Sequence, residues 1–150
     1  MTTATSNLPY LQRPCFRVQD IDRSLTIYRD LLGFTVEYVM VDDPDTYIRE
    51  VFPIPEGIET RFATLSTPTQ VRSLAMVEAK GIEVNPSPAS STVVIKVPSV
   101  DKTMAAAAEM GLRCAHIIEV GPNDGPGQGR KEAVFFDFDN NPVVVFELLS

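Results

Sequence analysis

Apolar residues in this chain alternate over short runs and twice give way to helical spacing. From residue 13 the order Arg-Pro-Cys-Phe-Arg-Val puts Phe16 and Val18 on one face of a strand and Arg13, Cys15 and Arg17 on the other. Leu25, Tyr28, Leu31 and Leu32 then recur as one stripe of an amphipathic helix, which Gly33 closes. The succession returns later. Thr92, Val94 and Lys96 share a strand face, Met104, Ala107, Ala108 and Met110 form the next stripe, and Gly111 ends it.

Phe16 and Ile95 are 79 residues apart, and Gly33 and Gly111 are 78 apart, so the second helix is one residue shorter. Agreement in strand, acidic first turn, helix stripe and closing glycine marks a tandem duplication. Asp22 and Asp101 are the expected helix caps. Strands follow over about Phe34–Val41, Arg61–Ser66 and Arg72–Glu78, then Leu112–Val120, Glu132–Phe138 and Pro142–Leu148. Asp139-Asn140-Asn141 supplies the last turn, and apolar runs such as Val143–Phe146 suit strands covered on both faces. The expected fold class is α+β: two βαβββ modules with helices outside the sheets. The first module takes residues 1–84 with an insertion at 42–59, a Pro- and Ser-rich linker takes 85–91, and the second module takes 92–150. Thr46–Phe52 fits two helical turns, and Gly121–Arg130 fits a mobile loop.

Composition narrows the function. A net charge of −7 opposes nucleic-acid binding, so an anionic ligand needs Arg or Lys placed locally. No run is apolar enough to span a bilayer, and the polar start does not read as a signal peptide. Cys15 and Cys114, far apart, read as reduced thiols of a cytoplasmic protein.

The stretch from Phe16 to Phe34, FRVQDIDRSLTIYRDLLGF, and the closing Phe136-Asp137-Phe138-Asp139-Asn140-Asn141 resemble the vicinal oxygen chelate superfamily of glyoxalase I, bleomycin resistance proteins and extradiol dioxygenases. The turn departs from that family's pattern, with Phe138 for the usual Pro and Asn140 for the usual Gly. The resemblance implies a U-shaped cleft between the paired sheets. It also implies a divalent metal held by one side chain from the first and last strand of each module. Those positions fall on Arg13, Ala75, Thr92 and Val144 here. A guanidinium, two hydrocarbons and one hydroxyl make no metal site, so neither metal nor other cofactor is expected. Glu78 and Glu147 lie three residues from the ligand positions, on the other strand face, and only a bulge would bring them in.

Strand alternation makes Arg13, Cys15, Arg17, Ala75, Thr92, Lys96, Val144 and Phe146 the cleft lining, with Tyr47 and Phe52 of the insertion as a lid. Arg13 is the expected anchor for a carboxylate, phenolate or developing oxyanion. The resemblance implies a carboxylate contact for Arg17. His116, the one histidine, is the candidate acid–base group. Three functions remain open. The first is a metal-independent lyase, isomerase or cyclase acting on a hydrophobic or aromatic, anionic metabolite. The second is a non-catalytic drug- or metabolite-binding resistance protein. The third is a metalloenzyme with shifted ligands. A small-molecule ligand and a homodimer, the family's habit, are the expected partners.

Overall fold

The computed structural model describes residues 8–41, 47–121 and 129–149. The first module runs β1 (Cys15–Val18), α1 (Ile21–Leu25), β2 (Thr35–Val41), α2 (Ile48–Val51), β3 (Thr60–Thr67) and β4 (Gln70–Ala79). The second runs β5 (Val93–Lys96), α3 (Val100–Glu109), β6 (Ile118–Val120), β7 (Arg130–Phe136) and β8 (Pro142–Leu148). Each module makes one four-stranded sheet, ordered β1-β4-β3-β2 and β5-β8-β7-β6. In both, the first strand is parallel to the last and the other pairs are antiparallel. The architecture is α+β, with two tandem βαβββ modules in a glyoxalase-like arrangement.

The duplication extends to register. Cys15 pairs with Ala75 in the first module, and Val94 pairs with Val144 in the second. It also explains an irregularity in the first helix. After α1 the chain widens into a π-helical stretch over Thr26–Leu31, where the Leu32 N–H reaches back to the Ile27 carbonyl. This helix carries one residue more than its counterpart, and a π turn absorbs a single insertion without losing the helix.

Helix starts differ from expectation. The caps are Asp20 and Ser99, each extended and each accepting the N–H three residues on, at Arg23 and Lys102. Asp22 and Asp101 lie two residues further on, within the first turn. They bind cations of the third strand of their module instead, Arg61 at 3.4 Å and Lys131 at 2.7 Å. The apolar residues Ile21 and Val100 must begin each helix to reach the core, which moves the cap back by two positions.

Phe16, Val18, Leu65, Leu74 and Met76 meet Ile21, Leu25, Ile27 and Tyr28, and this cluster continues into Val100, Met104, Ala107, Phe135, Val143 and Val145. One core therefore spans both modules. Ala108 is exposed, and Leu31, Leu32 and Met110 are half-buried at its margin. The strand expected from Leu112 forms only at Ile118, preceded by a lone bridge from Cys114 to Phe135. In β8, Val143 and Val145 are buried while Val144 and Phe146 are half-exposed, so only one face is fully covered. The insertion makes one helical turn, α2, rather than two. The loop expected over Gly121–Arg130 lies mostly outside the described residues.

Candidate functional site

The site draws on the sheet face turned away from the helices and, at the strand starts, on core-side residues Phe34, Leu74 and Ile95. Because Phe16, Val18 and Met76 point to the core, the pleat sends Cys15, Arg17, Ala75 and Val77 the other way. In the second sheet Val143 and Val145 point inward to the core, leaving Val94, Lys96, Val144 and Phe146 on the cleft face. Arg13 continues the β1 alternation one pleat before the Cys15–Ala75 pair, beside Ser73.

A cavity of about 630 Å³ lies between the segment leading into β1, the start of β4, and β5. Arg13, Ser73, Thr92, Val94 and Lys96 line it, with Leu11, Phe34, Leu74 and Ile95 as apolar walls. No Asp or Glu is among its lining residues. Arg13 Nη1 and Ser73 Oγ are both buried and have no hydrogen-bond partner. Stripping a charged donor of water without a replacement costs more than about 1–3 kcal/mol, which a bound acceptor would offset. Thr92 is satisfied within the protein, its hydroxyl donating to the Pro142 carbonyl at 2.8 Å.

A second cavity of about 590 Å³ adjoins the first, since Pro14 and Thr92 line both. Cys15, Arg17, Phe52, Asn85, Ser91 and Asp139 face it. Asp139 Oδ1 accepts the Gln19 N–H at 2.8 Å, with Arg23 Nη2 at 3.8 Å, while Oδ2 is buried and unpartnered. Burial pushes the Asp139 carboxyl above its usual range. Asp137 adds to this, and the Gln19 N–H and Arg23 oppose it.

The insertion lies down on the cleft face of the first sheet. Phe52, Ile48 and Ile58 pack with buried Ile54 against Cys15, Phe62 and Val77. Arg49 pins the segment by donating to the Pro55 and Ile58 carbonyls at 3.0 and 2.6 Å. Tyr47 is exposed at the insertion's start, away from that packing. His116 is also exposed, beside the outer edge strand β6, and it lines neither cavity. The structure thus groups Arg13 with Thr92 and Lys96, and Cys15 and Arg17 with Phe52, but leaves Tyr47 and His116 apart.

Other cleft-face residues come from β2 and β3, which the first- and last-strand rule does not reach. Thr64 is paired with both Tyr38 and Ala75 and buries an unpartnered hydroxyl. The Tyr38 and Phe62 rings meet at a tilt of 38° with centroids 6.2 Å apart, and the Arg72 guanidinium lies 5.7 Å from the Tyr38 ring centroid. The alternation of Phe62, Thr64 and Ser66 was the signal available for this wall.

The donor set at Arg13, Ala75, Thr92 and Val144 does not fit a divalent cation. Glu78 and Glu147 do not repair it, because both face the helices. Glu78 accepts the Ile21 N–H at 2.8 Å and Glu147 accepts the Val100 N–H at 3.1 Å, the same helix-start contact in each module. Among the described residues no three His, Cys, Asp or Glu side chains gather where a metal ion could sit.

Fold and cavities together define a two-module α+β protein with two adjoining cavities. The model of the Glyoxalase/Bleomycin resistance protein/Dioxygenase superfamily matches residues 10–145, and the chain belongs to that superfamily. A glyoxalase family protein from Bacillus cereus superposes with a TM-score of 0.72 at 12% identity, covering 98% of this chain and 99% of that one. A fosfomycin resistance protein from Listeria monocytogenes, solved with Mn(II) and sulfate, gives a TM-score of 0.63 at 11% identity over 95% and 94% of the two chains. A glyoxylase/bleomycin resistance protein/dioxygenase domain from Frankia sp. EAN1pec gives 0.60 at 19% identity over 95% and 99%. No curated protein matches the chain. At these identities the likeness shows the fold. No helix is long and apolar enough to cross a membrane among the described residues.

Proposed function

We propose that this protein binds a small anionic molecule with an apolar body in the cavity between the segment leading into β1 and β5, without a metal ion, and that Arg13 is its anchor. One observation carries the reading. In a chain of net charge −7, this cavity is lined by Arg13 and Lys96, neither in an ion pair, and by no carboxylate among the described residues. Such an arrangement attracts an anion against the global field. Arg17 and Phe52 belong to the adjoining cavity, and Val144 and Phe146 to the open face of the second sheet.

Binding without turnover is favoured over catalysis, because no histidine, carboxylate, cysteine or tyrosine is among the residues lining the Arg13 cavity and His116 lies elsewhere. A second reading keeps Arg13 Nη1 and Ser73 Oγ as donors to a developing oxyanion, in a lyase or isomerase step. We propose further, from the superfamily's habit and the sequence, a cytoplasmic homodimer with module boundaries at residues 84 and 92.

Titration with benzoate and its neutral analogue methyl benzoate tests the reading. Benzoate should bind more tightly, and Arg13→Ala should weaken it about 10- to 100-fold, in line with one charged hydrogen bond. Equal binding of the two probes, or an unaffected Arg13→Ala variant, overturns it. Product formation from an anionic metabolite, lost in Arg13→Ala and insensitive to chelator, would establish the second reading.

A further inference from the structure

We infer that the cavity bounded by Cys15, Arg17, Asn85, Ser91 and Asp139 is a second subsite, which takes a neutral hydrogen-bonding group and makes the preferred ligand a carboxylic acid with a hydroxyl or primary amide at its far end. The acid end rests on the anion reading above. The second subsite does not.

Three observations support it. The Asp139 side chain is only 7% exposed, yet Oδ2 has no partner while Oδ1 is used by Gln19. A buried carboxylate oxygen left this way is costly, and a donor from a ligand would recover that cost. Next, the same cavity holds Arg17, Asn85 and Ser91, whose donors suit the acceptor half of a hydroxyl or amide. Arg17 is only partly engaged, through Nη2 to the Glu83 carbonyl at 3.3 Å.

The cavity's charges select against an ion. Arg17 disfavours an ammonium and Asp139 disfavours a second carboxylate, whereas a group that both donates and accepts satisfies the two together. The shared walls Pro14 and Thr92 put this subsite next to the Arg13 cavity, so one molecule can occupy both. Oδ2 is buried in the structure, so a ligand donor reaches it only as neighbouring side chains give way.

The test uses butyramide and N,N-dimethylbutyramide, which differ in the N–H donor, in an NMR titration of the full chain. Butyramide should shift the side-chain amide resonances of Asn85 and Asn141, with dimethylbutyramide at least fivefold weaker. Asp139→Asn, which keeps an oxygen for the Gln19 N–H, should abolish the difference between the two probes. Ser91→Phe, on an exposed position, should block butyramide while leaving the spectrum folded. Equal binding of the probes, or an Asp139→Asn variant that still discriminates, overturns the subsite. If butyramide behaves as expected while benzoate fails to bind, the anion reading falls and the subsite stands. If benzoate binds and butyramide does not discriminate, the subsite falls alone.

Discussion

Glu78 and Asp139 are both buried carboxylates, yet their surroundings push them in opposite directions. Burial opposes ionisation of Glu78, but Arg61, bonded at 2.8 and 2.6 Å, and the Ile21 N–H outweigh it and hold the carboxyl below its usual range. Its stabilisation is therefore fully present above the unfolded value, about 4.3, and is lost as pH falls through the lower folded value. Glu78→Gln should flatten this acid limb and lower stability at pH 7 by about 2–3 kcal/mol, read from urea unfolding across pH 2–7. Asp139 has the reverse sign. Its folded value is raised, so the folded state keeps a proton that the unfolded chain has released, and stability declines as pH rises from about 3.9 through the folded value. Asp139→Asn should remove that decline and raise Tm at pH 7 relative to wild type. A Tm difference that does not change with pH would refute this.

At the scale of elements, the strands were legible because period-2 alternation names the buried face directly: Phe16 and Val18 against Cys15 and Arg17. The extra residue of the first helix was legible too, as the change of offset from 79 to 78. How the chain would absorb it was not, since a kink, a bulge or a π turn all satisfy the count. The caps were misplaced because Asp20 and Asp22 are equally good cap chemistry. The choice depends on Ile21 reaching the core, a tertiary fact. If the π turn only accommodates an insertion, deleting exposed Asp30 should restore ordinary helical spacing to Gly33. Its Tm loss should then be smaller than that from deleting Glu109 in the uninterrupted α3, as thermal unfolding would show.

For the whole molecule, the seam between modules was the least legible part. The Tyr28 hydroxyl donates to Asp137 Oδ2 at 2.7 Å, across 109 positions of sequence. Asp137 Oδ1 meanwhile accepts the Asp139 and Asn141 N–H groups and so shapes the final turn, where Asn140 takes φ 66°. Asparagine tolerates that left-handed backbone, which accounts for its place where a glycine was expected. Gln19 and Arg23 add contacts to Asp139, and the Arg23 guanidinium lies 5.0 Å from the Phe138 ring. Nothing local in either segment announces this pairing. Tyr28→Phe should cost about 1–2 kcal/mol while unfolding remains one transition by fluorescence and circular dichroism, because the core is shared. Two separate transitions would show that the seam, not the core, couples the modules.

The helix-start contacts of Glu78 and Glu147 have a consequence for how this protein can change. They lie on one side of the pleat, and the residues proposed to face a ligand lie on the other. Substitutions at Arg13, Ala75, Thr92 or Val144 therefore leave the scaffold's anchoring carboxylates untouched. Lineages built on this plan can lose, gain or exchange chemistry on the concave side while the convex side keeps the chain folded. With that division of labour, a change of side chain at the proposed ligand positions leaves both helix-start contacts in place.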